Sequence, residues 1–176
     1  MASDFDSSVN ERLFPRGAVS DSDMPITIEL YKLMVASSEA LVARRQGANT
    51  FFLTANGAVL TAIGLLLGRG LVSFLEGTGL FVLTATGLVL SLVWRSLILS
   101  LGQLNTGKFA VINRLEAAFP VAIYGAEWVA LGEGKDKTLY KSSTSREVGI
   151  PITFAIIYSI ALIVEFGAIA GVFPLK

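Results

Sequence analysis

One uncharged stretch constrains this chain more than any other feature of its sequence. Between Arg45 and Arg69 lie the 23 residues of 46–68, which carry no charged side chain and include short runs of Phe and Leu. A bilayer core about 30 Å thick needs about 20 residues of helix to cross it. The stretch is therefore predicted to be a transmembrane helix.

Two further apolar runs have the length of a membrane span. One covers residues 77–94 without a charge, and the other covers residues 148–173 with a single charged residue, Glu165. Because only a few residues separate the first run from the second, these two are predicted to form an antiparallel hairpin with a tight turn. We therefore predict an all-α membrane protein with three transmembrane helices, at residues 47–68, 71–95 and 148–173.

The composition agrees with a membrane protein and excludes most kinds of catalysis. Hydrophobic residues make up 53% of the 176 residues and charged residues only 16%, with a mean hydropathy of +0.65. The absence of Cys and His excludes thiolate nucleophiles, imidazole acid–base catalysis and the usual zinc ligand sets. The spans hold no paired carboxylates at one depth, so we expect no enzyme, no catalytic residue, no cofactor and no metal. A formal net charge of zero gives no basic field to attract nucleic acid.

The distribution of Lys and Arg predicts the orientation of the spans. Twelve of the 14 basic residues lie before the first span or between the second and the third. Only Arg69 and Lys176 lie on the opposite side. The positive-inside rule therefore places the N-terminus and the segment between the second and third spans in the cytoplasm, and the C-terminus outside.

The chain before the first span is predicted to have two parts. Residues 1–24 are rich in Ser and Asp and have no apolar periodicity, which is typical of a disordered tail. Residues 25–46 are predicted to be a cytoplasmic amphipathic helix that continues into the first span. Its apolar residues recur at helical spacing: Ile26, Leu30, Leu33, Met34 and Leu41.

Residues 96–147 are predicted to contain a cytoplasmic helical stalk, an interfacial helix and a loop. A heptad spacing extends the second span as a helix to Phe119, and its apolar residues are Leu97, Leu101, Leu104, Val111, Leu115 and Ala118. Since the spans form a hairpin, residues 26–46 should pack antiparallel against 97–119 through their apolar faces. The short helix after Pro120 carries Tyr124 and Trp128, which suit a membrane interface.

The first two spans carry polar residues, for which two interpretations stay open. Gln46, Asn49 and Asn56 share one face of the first span. They either bind helices to one another or face water in an oligomeric pore. Small and hydroxylated residues form further stripes that are expected to join the two helices of the hairpin: Thr50, Thr54, Gly57, Thr61 and Gly64 in the first span, and Gly79, Thr84, Thr86, Gly87 and Ser91 in the second.

Glu165 is the one charged residue inside the third span. A carboxylate within a bilayer costs roughly 2.5–3.5 kcal/mol on insertion scales, so it is expected to have a partner, to face a cavity or to carry a proton. Its position in the outward part of the span also allows the side chain to reach the membrane surface. A functional residue and a tolerated residue near the interface are both consistent with the sequence.

Two groups of residues resemble motifs of known proteins. The stretch Arg44–Leu53, preceded by Glu39, and a later group look like motifs of small, multi-pass bacterial membrane proteins of uncharacterised family. That later group consists of Asn105, Lys108, Phe109, Val111, Ile112, Leu115, Glu116, Pro120, Glu127, Trp128 and Leu131–Lys135. The layout of a cytoplasmic helix, a hairpin and a helical extension is also similar to the SLATT membrane effectors of bacterial conflict and anti-phage systems. These resemblances imply a bacterial inner-membrane protein that oligomerises and perturbs the membrane in response to a cytoplasmic signal.

Three functional hypotheses follow for this chain. The first is a non-enzymatic membrane protein that forms a homo-oligomer in the lipid bilayer through its spans. It acts as a channel-like or membrane-perturbing effector in antiviral defence, and its cytoplasmic part responds to a protein or a small molecule. The second is a membrane anchor or scaffold for a cytoplasmic partner. The third is a small proton-linked transporter that uses Glu165.

Overall fold

The structure is a computed structural model, and it describes residues 2–68, 74–136, 138–140 and 146–170. This part of the chain is all-α, as predicted, and contains no strand. It has five helices: α1 (Ala2–Leu13), α2 (Met24–Gly68), α3 (Phe74–Glu116), α4 (Ile123–Ala130) and α5 (Gly149–Ile169). A 3₁₀ turn at Gly132–Gly134 follows α4.

Three of the helices are long and apolar enough to cross a membrane, which confirms the predicted number of spans. They are Met24–Gly68, Gly77–Glu116 and Gly149–Ala168. With 45 and 43 residues, α2 and α3 are each about twice as long as a bilayer requires, so part of each lies outside it. The predicted tight turn between them falls at residues 69–73, outside the described residues.

The chain divides into two compact units. We call Met1–Arg44 with Leu101–Ser142 the extension unit, and Arg45–Ser100 with Ser143–Lys176 the span unit. Each of the long helices contributes to both. The span unit holds the apolar runs, and the extension unit holds most of the charged residues.

Within the extension unit, α2 and α3 pack antiparallel in the predicted register. The Ser38 hydroxyl donates to Asn105 Oδ1 at 3.0 Å, and Lys108 donates to the Ser37 hydroxyl. Further along, Tyr31 donates to Glu116 Oε1 at 2.9 Å. As the residue numbers rise on α3 they fall on α2, which confirms the expected side-by-side arrangement.

The buried faces of these two helices differ from the predicted ones. On α2, the predicted Ile26, Leu30 and Leu33 are 62%, 55% and 65% exposed, whereas the predicted Leu41 is buried together with Thr27 and Ser38. On α3, the predicted Leu97 and Leu104 are exposed, whereas the predicted Leu115 is buried beside Ile112 and Glu116. The contact is made partly by hydrogen bonds, such as the one between Ser38 and Asn105, so apolar spacing alone predicts only part of the buried face.

The N-terminal residues form a helix where the sequence predicted a disordered tail. Helix α1 covers Ala2–Leu13. Arg12 in its last turn complements the negative end of the helix dipole. Val9 and Leu13 of α1 and Val111 of α3 line one shallow cavity in the extension unit.

A buried carboxylate fixes the end of α3 and the start of α4. Glu116 is 2% exposed, and its two oxygens accept hydrogen bonds of 2.9 Å from the backbone N–H groups of Tyr124 and Gly125. The Tyr31 hydroxyl also donates to it. Helix α3 ends at Glu116 rather than at the predicted Phe119, and the Glu116 carboxylate holds the first turn of α4.

The same arrangement accounts for the shorter α4. This helix begins at Ile123 rather than directly after Pro120. Tyr124 packs against the rings of Tyr31 and Phe109, and Trp128 packs against the ring of Tyr140, so both aromatic residues predicted to lie at a membrane interface contact protein.

The charge of Glu116 stabilises this cluster, which lies more than 20 residues beyond the second uncharged run. Burial raises the pKa of Glu116, but the hydrogen bonds from Tyr124, Gly125 and Tyr31 outweigh it and leave the pKa below its ordinary value. Burial together with the Glu116 carboxylate raises the pKa of Tyr31 to about 12.

We predict that this cluster makes stability depend on pH. Since the pKa of Glu116 is lower in the folded chain than in the unfolded one, its contribution is present above the unfolded pKa of about 4.3 and is lost as the pH falls through the folded pKa. Glu116→Gln should cost about 1.5–3 kcal/mol at pH 7 and remove this part of the acid sensitivity. Thermal unfolding in detergent, followed by circular dichroism, measures both effects.

Glu29→Gln is the matched control. Glu29 is exposed and forms an ion pair with Lys32 one turn away, so its substitution should change the unfolding temperature little. An unfolding temperature that falls equally with pH in the wild type and in Glu116→Gln would contradict the prediction.

Candidate functional site

Buried and partly buried polar side chains, together with Gly87, form three layers between the helices of the span unit, and we call these layers the polar ladder. The first layer contains Arg45, Asn49, Trp94 and Glu147; the second contains Asn56, Gly87, Ser91 and Tyr158; the third contains Thr84 and Glu165. In hydrocarbon a polar group must be satisfied inside the protein, so these contacts determine how the three helices pack.

The first layer joins all three helical segments of the unit. The Trp94 indole N–H donates to Asn49 Oδ1 at 2.9 Å, and Asn49 Nδ2 donates to Glu147 Oε2 at 3.0 Å. Arg45 Nε lies 3.1 Å from the same carboxylate oxygen, forming an ion pair. Trp94 is 1% exposed and stacks on the ring of Phe52, so the amide of Asn49 is held by a rigid neighbour.

The second layer is centred on Asn56, which is 0% exposed. Its Nδ2 donates to the Phe52 carbonyl one turn earlier, and its Oδ1 accepts a hydrogen bond of 3.1 Å from Ser91 of α3. The Tyr158 hydroxyl of α5 donates to the Asn56 backbone carbonyl at 3.1 Å.

The Tyr158 ring reaches the other two helices because α3 carries no side chain at Gly87. A Cβ atom placed on Gly87 would lie 2.3 Å from the nearest ring atom. This is far inside van der Waals contact. The glycine therefore serves as the recess into which the aromatic ring fits.

The third layer contains Glu165. Thr84 Oγ1 lies 2.7 Å from Glu165 Oε1 and 3.0 Å from the Leu80 carbonyl, so one hydroxyl faces two oxygens. Thr84 is fully buried. Glu165 Oε2 is also buried, and it has no hydrogen-bond partner among the residues that the structure describes.

The structure separates the four candidate residues that the sequence singled out. Asn49 and Asn56 lie between helices of the same chain, and Glu165 lies between α5 and α3. Gln46 is exposed and is not part of the polar ladder. The polar contacts of Asn49 and Asn56 favour a role in binding helices together, because their amides are already occupied within one protomer.

One predicted stripe faces the opposite way. Within α2, Thr50, Thr54, Thr61 and Gly64 are exposed, and a Cβ on Gly57 or Gly64 would have no atom within 4 Å. These residues therefore do not hold α2 against α3, contrary to the prediction. Helical geometry explains the difference: this stripe lies more than a quarter turn away from the face that carries Phe52 and Asn56.

Sequence reasoning missed several members of the polar ladder. Trp94, Glu147 and Tyr158 were not predicted to take part, although a Trp and a Tyr in largely apolar spans need a partner for their N–H and O–H groups. Thr84, Gly87 and Ser91 were predicted to bind helices and are all buried. The described residues include no group of three or more Asp and Glu side chains that could hold a metal ion.

Comparison with known families identifies the chain. The model of the octameric membrane protein family (8xMP) matches residues 28–167. The chain belongs to this family. The match runs from the first turns of α2 to beyond Glu165 and so includes the whole polar ladder. No curated protein and no solved structure gave a match. The chain is thus a membrane protein of a family named for its oligomers, which the three candidate spans support.

We predict that the recess at Gly87 is essential to the span unit of this 8xMP protein. Gly87→Ala places a methyl group inside the ring of Tyr158, and overpacking of this kind costs about 1–3 kcal/mol. The measurement is the midpoint of unfolding in mixed micelles of increasing SDS content. Gly79→Ala on the same helix is the matched control, because a Cβ there meets no atom within 4 Å. Equal midpoints for the two variants would show that the ring of Tyr158 does not depend on the recess.

Proposed function

We propose that this protein is non-enzymatic, assembles as a homo-octamer in the bacterial inner membrane, and acts there as a channel-like or membrane-perturbing effector under the control of its cytoplasmic part. The observation that carries the proposal is the exposed stripe of Gln46, Thr50, Thr54, Gly57, Thr61 and Gly64 on α2, which we call the α2 stripe. Membership of a family named octameric supports the number of copies.

The α2 stripe has the composition of a contact between membrane helices. Its residues lie within an arc of about 80° on the helix. Gly57 and Gly64 leave the backbone open to close approach, as small residues do at helix interfaces in membranes. Thr50 and Thr61 donate their hydroxyl hydrogens to carbonyls of their own helix, so they tolerate an environment without water.

The remaining outer surface of the span unit has the composition of a lipid-facing surface. The exposed side chains of α3 and α5 are mainly large and apolar: Phe81, Val82, Val89, Leu92 and Val93, and Ile156, Ile160, Ile163, Val164 and Phe166. Bulky side chains of this kind contact acyl chains favourably and hold neighbouring backbones apart. Helix α2 also exposes Phe51, Leu53, Leu65 and Leu67, so the contrast supports the α2 stripe, and not the rest of α2, as the face that meets another copy.

Eight identical copies in a closed ring must each use two different faces, one for each neighbour. The α2 stripe supplies one of them. Eight helices of about 10 Å diameter, arranged in a ring, enclose an opening of roughly 16 Å. Such an opening in a bilayer holds either water or lipid, and water within it would let ions pass. This supports a channel-like or membrane-perturbing action for the octamer.

The extension unit supports control by a cytoplasmic signal. Its exposed apolar residues Ile26, Leu30 and Leu33 recur at one face of α2, and exposed apolar patches mark protein contacts. The same patch favours a second candidate function, a membrane anchor whose octamer stays sealed while a cytoplasmic protein binds it. The layout that resembles SLATT effectors supports the first candidate and a role in antiviral defence.

The proposal predicts that large side chains introduced on the α2 stripe abolish both the assembly of the octamer and the passage of ions through it. The double substitution Gly57→Leu and Gly64→Leu should convert the octamer to smaller species, as measured by native mass spectrometry from nanodiscs. Liposomes that contain the wild-type protein should lose an ion gradient, and those that contain the double variant should not.

Gly79→Leu on α3 is the matched control, since a Cβ there also meets no atom within 4 Å. It should keep both the octamer and the ion flux. An octamer that survives the double substitution would refute the role of the α2 stripe. A wild-type octamer in sealed liposomes would refute the channel-like action and favour the anchor.

The proposed orientation has its own test. With twelve basic residues on one side and two on the other, the N-terminus should be cytoplasmic and the C-terminus outside. A reporter enzyme that works only in the cytoplasm should be active when fused before Met1 and inactive when fused after Lys176. Activity of the C-terminal fusion would contradict either the orientation or the odd number of spans.

A further inference from the structure

Glu165 has too few hydrogen-bond donors for a charged carboxylate. Within 46–68, 77–94 and 149–168 it is the only Asp, Glu, Lys or Arg. Among the described residues, its buried Oε2 has no hydrogen-bond partner, and its Oε1 has one, the Thr84 hydroxyl. A buried carboxylate normally accepts several donors or pairs with a cation.

Thr84 has a single hydroxyl hydrogen, which makes the shortage of hydrogen-bond donors at Glu165 more severe. The hydroxyl lies 3.0 Å from the Leu80 carbonyl, which can only accept, and 2.7 Å from Glu165 Oε1. Thr84 has one hydroxyl hydrogen to give. The exposed Thr86 donates its hydroxyl hydrogen to the Val82 carbonyl one turn earlier. If Thr84 donates its hydroxyl hydrogen to the Leu80 carbonyl in the same way, the hydrogen between Thr84 and Glu165 must come from the carboxyl group.

We propose that Glu165 and Thr84 form a proton-binding site within the membrane, in which Glu165 is a neutral carboxylic acid that donates its hydrogen to Thr84 Oγ1. The bound proton removes the charge from the bilayer and supplies the missing donor. The 2.7 Å distance is ordinary for an O–H···O hydrogen bond between neutral groups. The site does not depend on the octamer or on its conduction.

A neutral acid in hydrocarbon has a characteristic reactivity. An apolar carbodiimide, N,N′-dicyclohexylcarbodiimide, partitions into the bilayer and adds to protonated carboxyls. The carboxyl proton passes to one carbodiimide nitrogen while the carboxyl oxygen bonds to the central carbon. The O-acylisourea then rearranges to an N-acylurea, so every atom of both reactants stays in the adduct.

Glu147 is the matched internal control. It lies at the other end of the third helical segment, where it accepts from Asn49 and pairs with Arg45, so it has the donors that a charged carboxylate needs. In proteoliposomes near neutral pH, peptide mapping should find the adduct on Glu165 and not on Glu147. Labelling of Glu147 alone, or of neither residue, would count against the site.

Infrared spectroscopy of the full chain in proteoliposomes provides a readout that does not depend on reagent access. Wild-type protein should show the carbonyl stretch of a protonated carboxyl, and Glu165→Gln should lose that band. Glu165→Gln should also fold and assemble as the wild type does, because an amide is a neutral substitute for the acid. Identical carboxyl bands in the two proteins, or a Glu165→Gln variant that no longer folds, would overturn the proposal.

Discussion

The fit of the Tyr158 ring against the bare backbone at Gly87 is the contact on which the span unit most depends. In a bilayer, burial of apolar surface between helices gains little, because lipid is as apolar as the side chains. Close packing and hydrogen bonds must therefore hold the third span. Tyr158 provides both, since its ring fills the recess on α3 and its hydroxyl donates to the Asn56 carbonyl on α2.

The sequence was sufficient to predict the helices and the number of spans. An uncharged run longer than a bilayer, bounded by Arg45 and Arg69, has one stable structure in a membrane, and no tertiary contact is needed to recognise it. The antiparallel register of α2 and α3 followed from the hairpin alone, and the contacts of Ser38 and Tyr31 with α3 agree with it. The length of an uncharged run and the short connection between two spans can both be read from neighbouring residues, so these features do not depend on contacts between distant parts of the chain.

The faces of the helices were harder to predict, for a physical reason. In the extension unit the contact uses Ser38, Asn105 and Glu116 as well as the predicted Leu41 and Leu115, so apolar periodicity indicates only part of the buried side. In the span unit the exposed faces meet lipid, so apolar residues are favourable on every face. Apolar residues therefore do not distinguish a buried face from an exposed one. Asn56 and Thr54 are both polar and two residues apart, and only the positions of Ser91 and Tyr158 determine that the first is buried and the second exposed.

This division of polar groups has a consequence for assembly. An exposed Asn in a span would bind any helix that offers a polar partner, and so would favour indiscriminate association. Here Asn49 and Asn56 are satisfied within the protomer, by Trp94 and Ser91. The α2 stripe remains exposed, and in the proposed assembly its glycines would act through shape. Contacts that depend on close approach of backbones tolerate few geometries, and a ring closes with a fixed number of copies only if every contact repeats the same geometry.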